Sequence, residues 1–234
     1  ADILLNDRPG SPDVAEAAAE IQKLGRTCHV VEANVFERAA CEQLVEQSLE
    51  LAGQIDILIS NPAAGKRQGF LEYDPEDFER TIHGALVSGF HVSQLAARAM
   101  VARGAGGKIV FISSVHATLP SARCAAYNAA KAGLNHLATT IAVELCEHRI
   151  NVNVIEPGWI ETPGEHATFG TEAIRTEGAK LPWGRIGQPA DIGQAAAFLC
   201  SDAADYITGT ALRVDGGFTF RNYVANRVIP PQDS

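Results

Sequence analysis

Apolar residues follow two alternating patterns along the chain. Short, nearly continuous apolar runs are typical of buried strands, whereas apolar residues spaced three or four positions apart predict amphipathic helices. Helical or irregular stretches separate the runs from one another. The predicted strands are 1–6, 27–32, 55–59, 108–113, 150–155 and 211–214.

Helical spacing fills most of the stretches between these strands. Gly25 ends the first predicted helix, and Pro75 and Pro189 each open one, because proline is favoured in the first turn. The stretch 156–181 has no regular pattern and is predicted as an irregular excursion. The predicted helices are 14–24, 41–52, 75–103, 125–148 and 189–200.

Strands that alternate with helices predict an α/β fold. The strands pair in parallel, and the connecting helices cover both faces of a doubly wound sheet. A length of 234 residues suits a single domain over 1–234. Ligands of such sheets bind at the carboxyl ends of the strands, so functional residues are expected in the loops there.

Composition narrows the range of partners. The chain is 46% hydrophobic and 20% charged, with a formal net charge of −9. Acidic proteins do not attract nucleic acid or anionic membranes, which indicates small-molecule partners. No apolar run has membrane-spanning length, and an odd number of cysteines without a Cys-x-x-Cys pair favours the reducing cytoplasm. No metal is expected, because the histidines and cysteines show no metal-binding spacing.

Three polar residues are candidates for catalysis. Tyr127 and Lys131 are four residues apart in a predicted helix, which places them on one helix face. Ser114 follows a predicted strand, thirteen residues before Tyr127. A strand end and a helix that meet at the carboxyl edge of a sheet can bring the three side chains together.

This set suits proton exchange coupled to hydride transfer. Free tyrosine has a pKa of about 10, which is high for a base near neutral pH. We expect the Lys131 ammonium to lower the pKa of Tyr127, and Ser114 to hydrogen-bond the substrate oxygen. Each feature alone is common, since tyrosine–lysine pairs occur on helix surfaces and serines often only cap turns.

The motifs around these residues resemble those of classical short-chain dehydrogenases/reductases. Bacterial glucose 1-dehydrogenases and 3-oxoacyl-carrier-protein reductases are about equally similar subgroups. The resemblance implies a Rossmann-like fold and an NAD(P)-dependent oxidoreductase that interconverts a secondary alcohol and a ketone. The motifs are ISSVH at 112–116, YNAAK at 127–131, NVNVIEPG at 151–158, TG at 208–209 and DGG at 215–217.

The resemblance also implies a dinucleotide site and a substrate pocket. Asp7, at a strand end, would face the adenosine ribose, where a carboxylate favours NAD and repels the 2′-phosphate of NADP. Arg8 could pair with that phosphate, so NADP stays possible, and the segment could also be a plain solvated turn. His116 and Trp159 are expected in the substrate pocket. The other implied cofactor residues are Asn34, Val35, Asn61, Ala63, Tyr127, Lys131, Pro157, Gly158, Ile160 and Thr162.

The chain departs from the family in four places. No segment matches the family's first strand and glycine-rich turn, and we expect roughly 30 residues to precede Ala1. Asn34 stands where aspartate is common, and Ala63 stands where glycine is common. Ala85 occupies the position of an asparagine that supports a water chain to the lysine.

Two other function classes stay open. Halohydrin dehalogenases share the fold and the Ser/Tyr pair and lack the glycine-rich turn, but they carry arginine in place of Lys131. A dinucleotide-binding or scaffold protein without turnover is the second alternative, favoured by Ala85 and by the altered segment around Asn61.

Assembly is a further expectation from the resemblance. Family members commonly form homotetramers through the helices predicted at 75–103 and 125–148, so a homotetramer is expected. The apolar residues Phe218, Phe220, Tyr223 and Val224 follow the last strand and suit packing on a partner.

Overall fold

The computed structural model describes residues 1–222, in which strands and helices alternate. This alternation confirms the predicted α/β class. The strands are β1 Ile3–Asp7, β2 Cys28–Glu32, β3 Ile57–Ser60, β4 Gly107–Ile112, β5 Ile150–Pro157 and β6 Ala211–Val214. The α-helices are α1 Val14–Lys23, α2 Arg38–Ala52, α3 Pro75–Ile82, α4 Ser88–Arg103, α5 Ala125–Leu145, α6 Pro163–Phe169, α7 Thr171–Gly178 and α8 Pro189–Leu199.

All strand pairs are parallel. β1 pairs with β2, and β3, β4, β5 and β6 form a four-stranded sheet in chain order. Within residues 1–222, β3 is hydrogen-bonded only to β4, and its residues Ile57 and Ile59 are exposed. Because the strands run in the same direction, their carboxyl ends meet at one edge of the sheet, where the candidate residues lie.

Alternate side chains of the sheet face two helical layers. Ile109 and Phe111 of β4 are fully buried with residues of α4 and α5. Val110, between them, packs on the other face with Leu199 of α8. Each such side chain contributes roughly 1.5–3 kcal/mol by leaving water. The sheet is therefore covered on both faces, as the sequence predicts.

The predicted long helix 75–103 is interrupted. A π-helical segment, His83–Val87, separates α3 from α4. A Cβ placed on Gly84 would lie 2.6 Å from Ala64 Cβ and 2.6 Å from Phe36 Cζ. The predicted helix therefore spans 75–103, and it contains a π-helical segment that a helical hydrophobic pattern does not reveal.

The predicted irregular excursion 156–181 begins too early, because β5 runs through Glu156 to Pro157. The carboxylate of Glu156 is buried. It accepts hydrogen bonds from Asn135 Nδ2 at 2.7 Å and from Arg213 Nε at 3.4 Å. These partners allow a charged residue to continue a buried strand.

The rest of the excursion contains two short helices, α6 and α7, so the prediction of irregular structure is wrong there as well. The hydroxyl of Thr162 caps α6 by accepting a hydrogen bond from Glu165 N at 3.2 Å. Pro163 follows at the first helical position. Both features favour helix initiation although the segment lacks an apolar stripe.

Candidate active site

Ser114 lies just beyond the carboxyl end of β4. Its side chain is buried, and its hydroxyl oxygen accepts a hydrogen bond from the backbone N–H of His116 at 3.1 Å. This bond caps the 3₁₀ turn Val115–Ala117. Because the hydroxyl acts as acceptor in this bond, its own proton remains available for a substrate oxygen.

Tyr127 lies near the start of α5, between two loops. A Cβ on Gly65, in the loop after β3, would be 3.4 Å from the Tyr127 ring. The imidazole of His116 meets the ring edge-on, with 6.2 Å between centroids. The structure therefore brings Ser114, His116 and Tyr127 to the same end of the sheet, as the sequence predicts.

Lys131 is buried one helical turn after Tyr127, with 2% of its surface exposed. Its Nζ donates to the carbonyl oxygen of Ile112 at 2.9 Å and lies 5.6 Å from the Tyr127 ring centroid. Burial lowers the pKa of Lys131 to about 8. An ammonium has three donors, and within residues 1–222 only this one bond is made. Two donors are therefore left for a bound molecule.

The pKa of Tyr127 differs from the expectation. Burial raises this pKa, and the adjacent Ser114 hydroxyl opposes the rise. The net shift of the Tyr127 pKa is therefore upward in the described geometry, whereas the sequence predicts a downward shift. The cause is desolvation, because the low-dielectric surroundings disfavour the phenolate more than nearby donors favour it.

Ala85 is buried in the π segment, with 1% of its surface exposed. A methyl group holds no water, so its side chain cannot support the water chain that asparagine supports at this position in the resembling family. The Nζ of Lys131 instead bonds directly to the backbone at Ile112.

The predicted adenosine-side residues follow β1 and β2. The Asp7 carboxylate accepts hydrogen bonds from the backbone N–H of Arg8 at 2.7 Å and from Ser11 Oγ at 2.5 Å. The Ser11 bond lowers the pKa of Asp7. Asn34 donates through Nδ2 to Glu37 at 2.8 Å. Both polar side chains are thus already engaged locally, and they retain free lone pairs for a ligand.

Three further predicted cofactor residues lie in the loops after β2 and β3. Val35 is half-buried and packs against the core around Val31. Asn61 and Ala63 directly follow β3 and are exposed. They stand at the carboxyl edge of the sheet, on the same loop that reaches Tyr127.

The predicted loop after β5 is held close to the turn after β6. A Cβ on Gly158 would lie 2.7 Å from the backbone Cα of Asp215, so only glycine fits there. Pro157 ends β5, and Ile160 forms a parallel bridge with Gly187. Thr162, beyond this bridge, uses its hydroxyl as a helix cap.

Trp159 is part of a cluster over the site that the sequence did not reveal. Its Nε1 donates to Glu165 Oε2 at 2.6 Å, and its ring meets Phe169 edge-on with centroids 5.8 Å apart. The guanidinium of Arg67 lies 5.2 Å from the Phe169 ring centroid. These contacts join the loop after β3 to α6 above Tyr127.

Two features are absent from the part of the chain that the structure describes. Among residues 1–222, no group of three or more His, Cys, Asp or Glu side chains converges in a way that could hold a metal ion. Within the same residues, no helix is long and apolar enough to span a membrane.

Comparison with known proteins identifies the family. The family model described as enoyl-(acyl carrier protein) reductase matches residues 1–219. L-rhamnose 1-dehydrogenase (NAD(P)(+)) of Sphingomonas sp. (strain SKA58) is 33% identical over 93% of this chain and 86% of that protein. A putative short-chain alcohol dehydrogenase from Sinorhizobium meliloti 1021 superposes with a TM-score of 0.87 and 31% identity, over 94% of this chain and 87% of that one.

A third comparison concerns the cofactor. A 7α-hydroxysteroid dehydrogenase, solved with NADH and 7-oxo-glycochenodeoxycholic acid, has a TM-score of 0.85 and 33% identity over 93% of this chain and 84% of that one. The chain therefore belongs to the short-chain dehydrogenase/reductase family and is an NAD(P)-dependent oxidoreductase. The predicted family and fold class are confirmed.

Proposed function

We propose that this oxidoreductase interconverts a secondary alcohol and a ketone through Ser114, Tyr127 and Lys131, within one domain spanning 1–234. Tyr127 exchanges the proton of the substrate oxygen, and Ser114 donates a hydrogen bond to that oxygen. Lys131 holds the cofactor ribose with its two remaining donors. When bound, the nicotinamide supplies or accepts the hydride at the carbinol carbon.

One observation carries this proposal most directly. Burying an ammonium is costly unless its donors are satisfied, yet Lys131 is almost fully buried and bonds only to Ile112 among residues 1–222. A ligand with hydroxyl acceptors, such as a ribose, compensates for this cost. The donor set therefore fits the ribose of a dinucleotide at the carboxyl edge of the sheet.

Turnover of NADH with a panel of ketones tests the proposal. Oxidation of NADH that requires a ketone supports it, whereas NADH binding without turnover supports a non-catalytic protein. Bromide release from a vicinal haloalcohol without NAD consumption indicates a dehalogenase. Lys131 disfavours that last outcome, because dehalogenases of this fold carry arginine there. The relatives described above include an L-rhamnose dehydrogenase and a hydroxysteroid dehydrogenase, so they do not single out a substrate.

The preferred cofactor is NAD, with Asp7 as the selecting residue. We expect wild-type kcat/KM to be higher with NAD than with NADP, because the Asp7 carboxylate repels a 2′-phosphate. Asp7→Ala should move the ratio towards NADP by about tenfold or more, since a like-charge contact is lost. Asp13→Ala is the control, because it removes an exposed carboxylate that precedes α1 and makes no hydrogen bond to the start of that helix. A ratio unmoved by Asp7→Ala, or a wild type that favours NADP, contradicts this role.

We also expect a cytoplasmic homotetramer. Leu86 and Phe90 of the π segment and α4, with Leu137 of α5, line an apolar groove on the surface, and Phe90 is 39% exposed. Phe220 is exposed after β6, whereas Tyr223 and Val224 lie outside the described residues. Light scattering at micromolar concentration should give the mass of four chains, and a monomer there contradicts the expectation.

A further inference from the structure

The loop after β3 presents a guanidinium at the mouth of the site. Gly65 packs against the Tyr127 ring, and Arg67 follows two residues later, over Phe169 of α6. Hydrogen bonds hold the backbone on both sides of Arg67. Gln68 N donates to Arg123 O at 2.9 Å, and Tyr73 Oη donates to Lys66 O at 2.9 Å. The position of Arg67 is thus fixed by the fold.

The guanidinium of Arg67 has no salt-bridge partner within residues 1–222. Its neighbour Lys66 is paired with the buried Asp77. The nearby carboxylate of Glu165 accepts a hydrogen bond from the indole of Trp159. Arg67 itself forms no salt bridge or side-chain hydrogen bond with a described residue, and its guanidinium lies over the Phe169 ring. Its planar fork of donors is free to bind an anion.

Two guanidinium groups lie near the site in an otherwise acidic protein. The net charge of the chain is −9, yet Arg67 and Arg221 both help to lower the pKa of the His116 imidazole, after burial, and the Glu165 carboxylate opposes them. The Nη1 of Arg221 donates a hydrogen bond to the backbone carbonyl oxygen of Phe218 at 3.0 Å. Guanidinium groups beside a binding site attract anionic ligands.

We propose that the substrate is a hydroxy or oxo acid whose carboxylate pairs with Arg67 while its reacting oxygen lies between Ser114 and Tyr127. This rests on the proposed function. A guanidinium binds a carboxylate through two parallel hydrogen bonds, which also orients the molecule. The face of the Phe169 ring holds the Arg67 guanidinium through a cation–π contact, so the Arg67 side chain loses little conformational freedom when a carboxylate binds.

Binding and turnover of matched compounds test this proposal. Acetoacetate, levulinate and longer oxo acids are each compared with their methyl esters, which keep the ketone and lose the charge. Calorimetry on the protein saturated with NAD⁺ measures binding, and NADH oxidation measures turnover. At least one acid should bind about tenfold or more tightly than its ester, the range expected for a charge-assisted pair.

Variants assign the effect to Arg67. Arg67→Met should weaken binding of that acid about ten- to a hundredfold and leave the ester unchanged. Arg67→Lys should retain part of the preference for the acid over its ester, because the positive charge remains while the planar donor pair of the guanidinium is lost. Arg26→Met, an exposed arginine just before the amino end of β2, is the matched control and should change the binding of neither compound.

The outcomes separate the two proposals. Esters that bind as well as acids, or an Arg67→Met variant that weakens both equally, overturn the carboxylate assignment even if ketones are reduced. Preferential acid binding that depends on Arg67 supports the assignment even if no compound is turned over. The absence of all NADH-dependent turnover counts against the proposed oxidoreductase reaction instead.

Discussion

Replacement of Tyr127 by phenylalanine should lower kcat by about 10²- to 10⁴-fold, the usual contribution of a general acid–base group. The phenol is the proposed proton donor and acceptor, whereas the ring makes the packing contacts with Gly65 and His116. Those contacts survive in phenylalanine. Steady-state kinetics should therefore show the loss while the melting temperature stays close to that of wild type.

A second tyrosine provides the control for this experiment. Tyr206 is 99% exposed, so Tyr206→Phe removes a hydroxyl that lies far out in solvent. Its kcat should equal that of wild type. An active Tyr127→Phe protein would show that proton exchange does not pass through this side chain, and the proposed mechanism would be wrong.

Replacement of Lys131 by methionine should weaken NADH binding by about tenfold or more, because two charge-assisted hydrogen bonds to the ribose are lost. The pH–rate profile should move to higher pH, since the cation 5.6 Å from the Tyr127 ring is removed. Fluorescence titration with NADH and kinetics across pH measure the two effects. Lys23→Met, on the exposed end of α1, is the control.

Lys131 also predicts how stability depends on pH. Burial lowers its pKa from 10.5 to about 8, so the unfolded chain retains the proton to higher pH than the folded protein. Between these values the unfolded state binds more protons, and stability rises with pH. Below pH about 8, Lys131 is protonated in both the folded and the unfolded state, and the folded protein bears the full cost of burying the cation.

The comparison with the variant isolates this contribution. Relative to Lys131→Met, the free energy of unfolding of ligand-free wild type should rise by on the order of 3 kcal/mol across this interval. Denaturant unfolding at several pH values measures it. A constant difference between the two proteins would show that Lys131 is not buried as a cation. A change in thermal stability alone, with NADH affinity and the pH–rate profile unmoved, would make the residue structural.

Most of the fold can be predicted from the sequence because the strands are distinct apolar runs. β4 and β5 are buried from both faces, so Ile109, Val110 and Phe111 form a continuous apolar run. The end of β5 could not be predicted from apolar runs because Glu156 is charged. Its hydrogen-bond partners, Asn135 and Arg213, lie in other elements of the fold. A charge is interpreted as solvent-exposed until the groups that bury it are known.

The candidate catalytic residues could be found because their spacing is local. Tyr127 and Lys131 share one helix face, and Ser114 lies just beyond the end of the preceding strand. Arg67 and Phe169 are over a hundred residues apart, and their contact depends on how the loop after β3 meets α6. The pKa of Tyr127 likewise depends on burial, which the motif does not reveal.

Transfer of deuterium tests the central claim most directly. The protein is incubated with the ketone panel and NADH deuterated at both C4 positions, and the products are analysed by mass spectrometry and NMR. The account predicts an alcohol that carries deuterium on its carbinol carbon, formed about a hundredfold or more slowly with Tyr127→Phe. Wild-type protein that binds NADH and leaves every ketone unlabelled, or that forms alcohol without the label, would contradict it.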